Sequence, residues 1–110
     1  MPMIRFTDSD FKDIPNFKGG NGVFRAAIVS DDKNKILKGI LPPGASIGLH
    51  IHDTSSEIIF ILSGNGTTVC DEKEEKVSSG DCLYCKKGSS HTLKNDGSED
   101  LVFYAVVPEQ

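Results

Sequence analysis

The stretch GLHIHDTSSEIIF, residues 48–60, sets His50 and His52 one residue apart and places Glu57 at the head of an apolar run, in a chain with only three histidines. On a helix the two imidazoles would diverge, whereas on a strand, where side chains alternate from face to face, they point the same way. The run Ile58, Ile59, Phe60, Ile61, Leu62 is mostly β-branched or aromatic, which favours strand. DTSS, residues 53–56, has turn chemistry and is read as a hairpin turn that folds the second strand back, bringing Glu57 toward the histidines. In this register His50, His52, Glu57, Ile59 and Ile61 face inward, and Leu49, Ile51, Ile58, Phe60 and Leu62 face out. Two imidazoles and a carboxylate on one inner face suit a divalent metal.

Outward from this stretch, short apolar or alternating runs recur between turn signals: MIRF, VFRAAIV, ILKGIL, SIGLHIH, EIIFIL, GTTVC, DCLYC, SHTL and LVFYAVV. PPG, SGNG, SSG and NDGSED separate several of them, a pattern that predicts an all-β sandwich or closed barrel. No segment carries a helical stripe. TDSDFKDIP is read as one short turn ended by Pro15, and DEKEEK at 71–76 as a charged, solvated loop. Apolar residues on both faces of the strands at 46–62 imply that something covers the outer face, and a homodimer is the expected cover.

The chain has 110 residues, room for one domain spanning 1–110 with a single modest core. No run is long and apolar enough to span a membrane. The start, MPMIRFTDSD, lacks the basic and then apolar layout of an export signal, so a cytoplasmic protein is expected. A net charge of -4, with lysines scattered rather than striped, argues against nucleic acid as a partner. Cys70, Cys82 and Cys85 are then expected as reduced thiols.

Two segments resemble the motifs of the cupins, small jelly-roll barrels with a metal inside. GASIGLHIHDTSSEIIFILSG, residues 44–64, carries Gly44, His50, His52, Glu57 and Gly64 in the register of the first motif. GDCLYCKKGSSHTLKN, residues 80–95, carries Gly80, Gly88, His91 and Asn95 in the register of the second; the motif's proline is replaced by Lys86. The resemblance implies an all-β jelly-roll (cupin) β-barrel with His50, His52, Glu57 and His91 as metal ligands. The Lys86 departure touches the stiffness of a turn rather than a ligand. The glycines have a physical reading of their own, at hairpin corners where positive φ is cheap.

Three neutral imidazoles and one carboxylate around a divalent ion leave a net charge of about +1, which favours an anionic or enolisable ligand. Four protein ligands also leave positions on an octahedral ion for water, dioxygen or a bidentate substrate. The expected cofactor is one divalent transition metal: manganese, iron, zinc or nickel. A rival site is CLYCKKGSSH, where Cys82 and Cys85 have zinc-knuckle spacing and His91 and Cys70 would complete four ligands. On a strand, however, Cys82 and Cys85 fall on opposite faces, and the cysteines are read as small hydrophobes. Lys86 and Lys87 are candidates for a cationic pocket mouth, and Arg25, Lys38 and Tyr84 for the barrel lining. None is assigned a catalytic role.

The resulting expectation is a metal-dependent enzyme, an isomerase, lyase or dioxygenase, acting on a small oxygenated or anionic molecule. The alternative is a non-catalytic cupin module that binds a sugar or other small molecule. A storage barrel fits least, because the ligand set implied by the resemblance is intact.

Overall fold

A computed structural model describes residues 3–110. Ten strands form two antiparallel sheets: β1 (Lys12–Pro15), β2 (Val23–Ser30), β3 (Asn34–Leu41), β4 (Ser46–Ile51), β5 (Glu57–Ser63), β6 (Asn65–Cys70), β7 (Lys73–Ser78), β8 (Cys82–Cys85), β9 (Ser90–Lys94) and β10 (Leu101–Pro108). The larger sheet has the order β1-β2-β3-β10-β5-β8 and the smaller β4-β9-β6-β7. This is the predicted all-β jelly roll. Among the described residues the helical content is two single 3-10 turns, Asp8–Asp10 and Phe17–Gly19. Among the described residues no helix is long and apolar enough to cross a membrane.

The core lies between the sheets, where inward positions of the strands meet. Phe24 of β2 and Phe103 of β10 stack with centroids 5.9 Å apart and planes 2° from parallel. Gly39 of β3 exists to admit them: a Cβ there would lie 2.6 Å from the Phe103 ring and 2.7 Å from that of Phe24. Leu41, Ile59, Leu93 and Leu101 complete a fully buried centre. Asn95, also fully buried, uses its whole side-chain amide: Nδ2 donates to the carbonyls of Leu41 and Glu99, each at 2.7 Å, and Oδ1 accepts from the Gly97 N–H at 2.9 Å. This polar knot ties the end of β3 to the β9–β10 turn and explains the asparagine at the end of the second motif.

Four sequence expectations are corrected. MIRF, within residues 3–6, forms no strand, because no neighbouring strand offers it a ladder. TDSDFKDIP is not one turn: residues 8–10 make the 3-10 turn, and Lys12–Pro15 then pair with β2 as the outermost strand. Pro15 is tolerated there because an edge position asks for fewer backbone donors. DEKEEK is not a loop but a two-residue turn at Asp71 and Glu72 followed by β7. A charged strand belongs at the edge of the smaller sheet, where charged side chains discourage pairing with another chain. Finally, DTSS is no hairpin turn, since β4 and β5 lie in different sheets and residues 52–56 cross between them.

The corner glycines do behave as expected. Gly44, Gly64, Gly80 and Gly88 all have positive φ, between 84° and 94°. At the turn where Lys86 stands for proline, the Ser89 N–H donates to the Lys86 carbonyl at 3.0 Å and Gly88 N–H to that of His52 at 2.6 Å. Backbone hydrogen bonds therefore close that turn without the ring.

Candidate metal centre

The four candidate residues come from both sheets. His50 lies on β4, His52 just beyond its end, His91 on β9 of the same sheet, and Glu57 opens β5 of the other. A bulge in β4 aims the histidines. Ile47 is paired with Leu93, but three residues later His50 is paired with His91, so β4 carries one extra residue around Gly48. Strict alternation would put Ile47 and His50 on opposite faces; the bulge turns both inward, Ile47 into the core and His50 into the site. Glycine at position 48 was the sequence signal for this irregularity.

The donor atoms converge. Glu57 Oε1 lies 2.8 Å from both His52 Nε2 and His91 Nε2. His52 Nε2 lies 3.2 Å from His50 Nε2 and 3.1 Å from His91 Nε2. One donor atom from each of the four residues falls within 4.8 Å of the others. His50 Nδ1 donates to the Gly48 carbonyl at 2.8 Å, so a neutral His50 presents the Nε2 lone pair to the centre.

Such a cluster fits a divalent cation by its own chemistry. Each nitrogen-to-nitrogen contact would otherwise need one N–H and one lone pair, and the Nε2 of His52 faces two imidazoles and a carboxylate at once. A cation accepts all four lone pairs together.

Electrostatics agree. Burial works against the charge on Glu57, but hydrogen bonds from His52 and His91 and their nearby charges outweigh it and hold its carboxyl at about 2. Burial also lowers the pKa of His50, opposed by the Gly48 hydrogen bond. Both groups are thereby kept, at neutral pH, in the forms that can donate to a metal.

The cluster forms the inner end of a cavity of about 270 Å³ whose walls include Phe17, Phe24, Ile47 and Phe103. Ser55 sits beside the centre, its Oγ 3.4 Å from His52 Nδ1. Sequence reasoning missed Phe17, Lys18, Lys35 and Glu109, which line the same cavity. Their positions depend on the approach of the 17–19 turn and the β3 and β10 ends, for which the chain offers no local pattern.

The proposed lining residues go elsewhere. Arg25 is exposed and pairs with Asp13 at 3.1 Å, and Lys38 reaches over the Tyr104 ring with Nζ 5.7 Å from its centroid. Lys87 donates to the Gln110 carbonyl at 2.8 Å, and Lys86 is exposed; neither borders the cavity. Tyr84 is exposed and borders a second, smaller cavity of about 140 Å³ behind Glu57 and His91.

The cysteines follow the strand alternation, with Cys82 exposed and Cys85 buried. Burial and the touching thiol of Cys70 push Cys85 up to about 12, so it is a protonated, unreactive thiol at neutral pH. The rival zinc-knuckle set does not assemble: the close-donor group among the described residues is the histidine and glutamate one.

Fold and site together define a small jelly-roll barrel able to hold a metal at the head of an internal cavity. Residues 38–107 match the family described as Cupin domain, and the chain belongs to it. It is 34% identical, over 96% of its length and 92% of the relative's, to a Thermotoga maritima protein named oxalate-binding protein. Among solved structures it resembles one described as a predicted oxalate decarboxylase from Thermotoga maritima, with a TM-score of 0.90, 31% identity and coverage of 97% of this chain and 100% of that one. A cupin 2 conserved barrel domain protein from Salinispora arenicola matches with a TM-score of 0.77 at 25% identity, over 97% of this chain and 88% of that one.

Proposed function

We propose that residues 1–110 act as a single metal-dependent cupin domain, with His50, His52, Glu57 and His91 as the ligands of one divalent transition metal. Its substrate is a short dicarboxylate, oxalate or a close analogue, and a lyase reaction is the first activity to assay. The observation that carries this reading is the convergence of three imidazoles and one carboxylate at the inner end of a cavity of about 270 Å³. A divalent ion held there supplies a Lewis acid of net charge about +1 with positions left for a bidentate oxyanion.

The chain's own groups supply the rest. The Gly48 carbonyl fixes the His50 ring, and the Phe17, Phe24 and Phe103 walls limit water at the inner end. Ser55 offers a hydroxyl beside His52. The names of the Thermotoga maritima relatives support oxalate as the first ligand to try.

The test is metal content by plasma mass spectrometry on protein prepared without air, followed by calorimetric titration with oxalate before and after chelation. Near one equivalent of metal, and oxalate binding that disappears on chelation, are the expected results. Binding that survives chelation would sink the metal-dependent reading. Release of formate and carbon dioxide then separates a lyase from a binder; isomerase and dioxygenase assays follow if oxalate is bound but not cleaved.

A second reading, binding without turnover, is favoured by the sparse acid-base equipment of the cavity. Among its described lining residues, Ser55, Lys18, Lys35 and Glu109 are the polar groups with ionisable or hydroxyl ends outside the four ligands. A homodimer belongs to either reading. Its proposed interface is the outer face of the larger sheet, where Phe60 and Tyr104 are cross-strand partners, both exposed, with Leu62 and Tyr84 on the same face.

A further inference from the structure

Two lysines stand on the wall of the cavity whose inner end is the metal centre, Lys18 from the 17–19 turn and Lys35 from β3. Both are exposed, and among the described residues neither is in an ion pair. One carboxylate outside the centre, Glu109, borders the same space. In a chain of net charge -4 this is a local excess of positive charge.

Lys18 is held there at a cost. Its backbone is left-handed, φ 56° and ψ 29°, a conformation that disfavours a residue with a Cβ. The turn is fixed by the Gly19 N–H donating to the Asn16 carbonyl at 3.0 Å and the Gly20 N–H to that of Phe17 at 2.9 Å. It is then pressed onto β4: a Cβ on Gly48 would collide with the Lys18 carbonyl, and one on Gly20 with the Ser46 carbonyl. The backbone carrying Lys18 is therefore seated against Gly48, whose carbonyl orients His50. Lys18 Nζ also lies 5.6 Å from the centroid of Phe17, another residue of the cavity wall.

We propose that Lys18, assisted by Lys35, forms the outer half of the anion site and makes the cavity selective for dicarboxylates over monocarboxylates. The inference rests on the proposed function: one end of the anion goes to the metal centre, and the charge remaining on the other is met by the ammonium groups. A monocarboxylate has nothing left for the lysines to hold. Glu109 works against any anion that enters the cavity, so the two ammonium groups must outweigh it.

The experiment is calorimetric titration of manganese-loaded protein with oxalate, malonate and acetate at low and high salt, on wild type, Lys18→Met, Lys18→Arg and the Lys18→Met/Lys35→Met double variant. Loss of a charge-assisted contact predicts a rise of about 10-fold to 100-fold in the dicarboxylate Kd for Lys18→Met, with acetate changed less than about 3-fold. Lys18→Arg restores most of the affinity, and manganese content stays the same in all four proteins. Equal weakening of oxalate, malonate and acetate, or an unchanged preference in the double variant, overturns the lysine assignment alone. If wild type binds neither dicarboxylate, the proposed function fails and takes this inference with it.

Discussion

The carbonyl of Gly48 accepts a hydrogen bond from His50 Nδ1 at 2.8 Å, while the missing side chain of Gly48 leaves room for the carbonyl of Lys18. One residue thus joins the wall of the cavity to the candidate metal centre. Gly48→Ala forces the 17–19 turn off β4 and disturbs the acceptor that orients His50. The expected outcome is a fall in metal affinity of about 10-fold or more, because outer hydrogen bonds to ligating histidines carry effects of that size. Competition with a fluorescent chelator measures it, and an unchanged affinity would disprove the link.

His52→Ala removes the imidazole that touches all three other donors. Metal content is expected to drop from near one equivalent to a small fraction of that. Retention of metal by this variant would redirect attention to the cysteines.

Acid is expected to destabilise the metal-free protein in two stages. His50 has a lowered pKa, so the unfolded chain binds its proton first and stability falls as pH drops below the ordinary histidine value of 6.5. Glu57, held at about 2 against an ordinary value of 4.5, contributes stability that is present above 4.5 and lost as pH falls toward 2. Its share is on the order of 3 kcal/mol in total. Urea denaturation of chelated protein between pH 7 and pH 2 should show both losses, and Glu57→Gln should abolish the lower one. In the metal-bound protein the same acidification releases the ion as imidazoles are protonated.

Asn95→Ala leaves the carbonyls of Leu41 and Glu99 and the Gly97 N–H without their side-chain partner. A loss of about 2–4 kcal/mol is expected from buried polar groups left unpaired. The measurement is the denaturation midpoint, and a change under about 0.5 kcal/mol would show that water replaces the amide at no cost.

Phe60→Lys places a charge in the middle of the exposed apolar face formed with Tyr104, Leu62 and Tyr84. If that face joins two copies, sedimentation shifts from dimer to monomer while metal content holds. A wild-type monomer at micromolar concentration removes the dimer reading.

Much of the fold was legible because strand periodicity is local. The inward set His50, His52, Glu57, Ile59 and Ile61, and the outward set Leu49, Ile51, Ile58, Phe60 and Leu62, follow from alternation and agree with their burial, except that Ile58 is half-buried. Even so, β7 was hidden, since an edge strand reading KEEKVS has no apolar face to betray it. MIRF misled in the opposite direction, because an apolar run becomes a strand only when a partner strand is there to hydrogen-bond it.

By itself, the sequence determined the strand class, the corner glycines and the residue types able to hold a metal, since these depend on spacing along the chain. Only the tertiary structure decided that Glu57 approaches from the other sheet, that a bulge at Gly48 lets Ile47 and His50 both face inward, and that the 17–19 turn brings Lys18 to the cavity. These depend on contacts between residues distant in sequence, whose geometry is set by how the two sheets pack around Phe24 and Phe103.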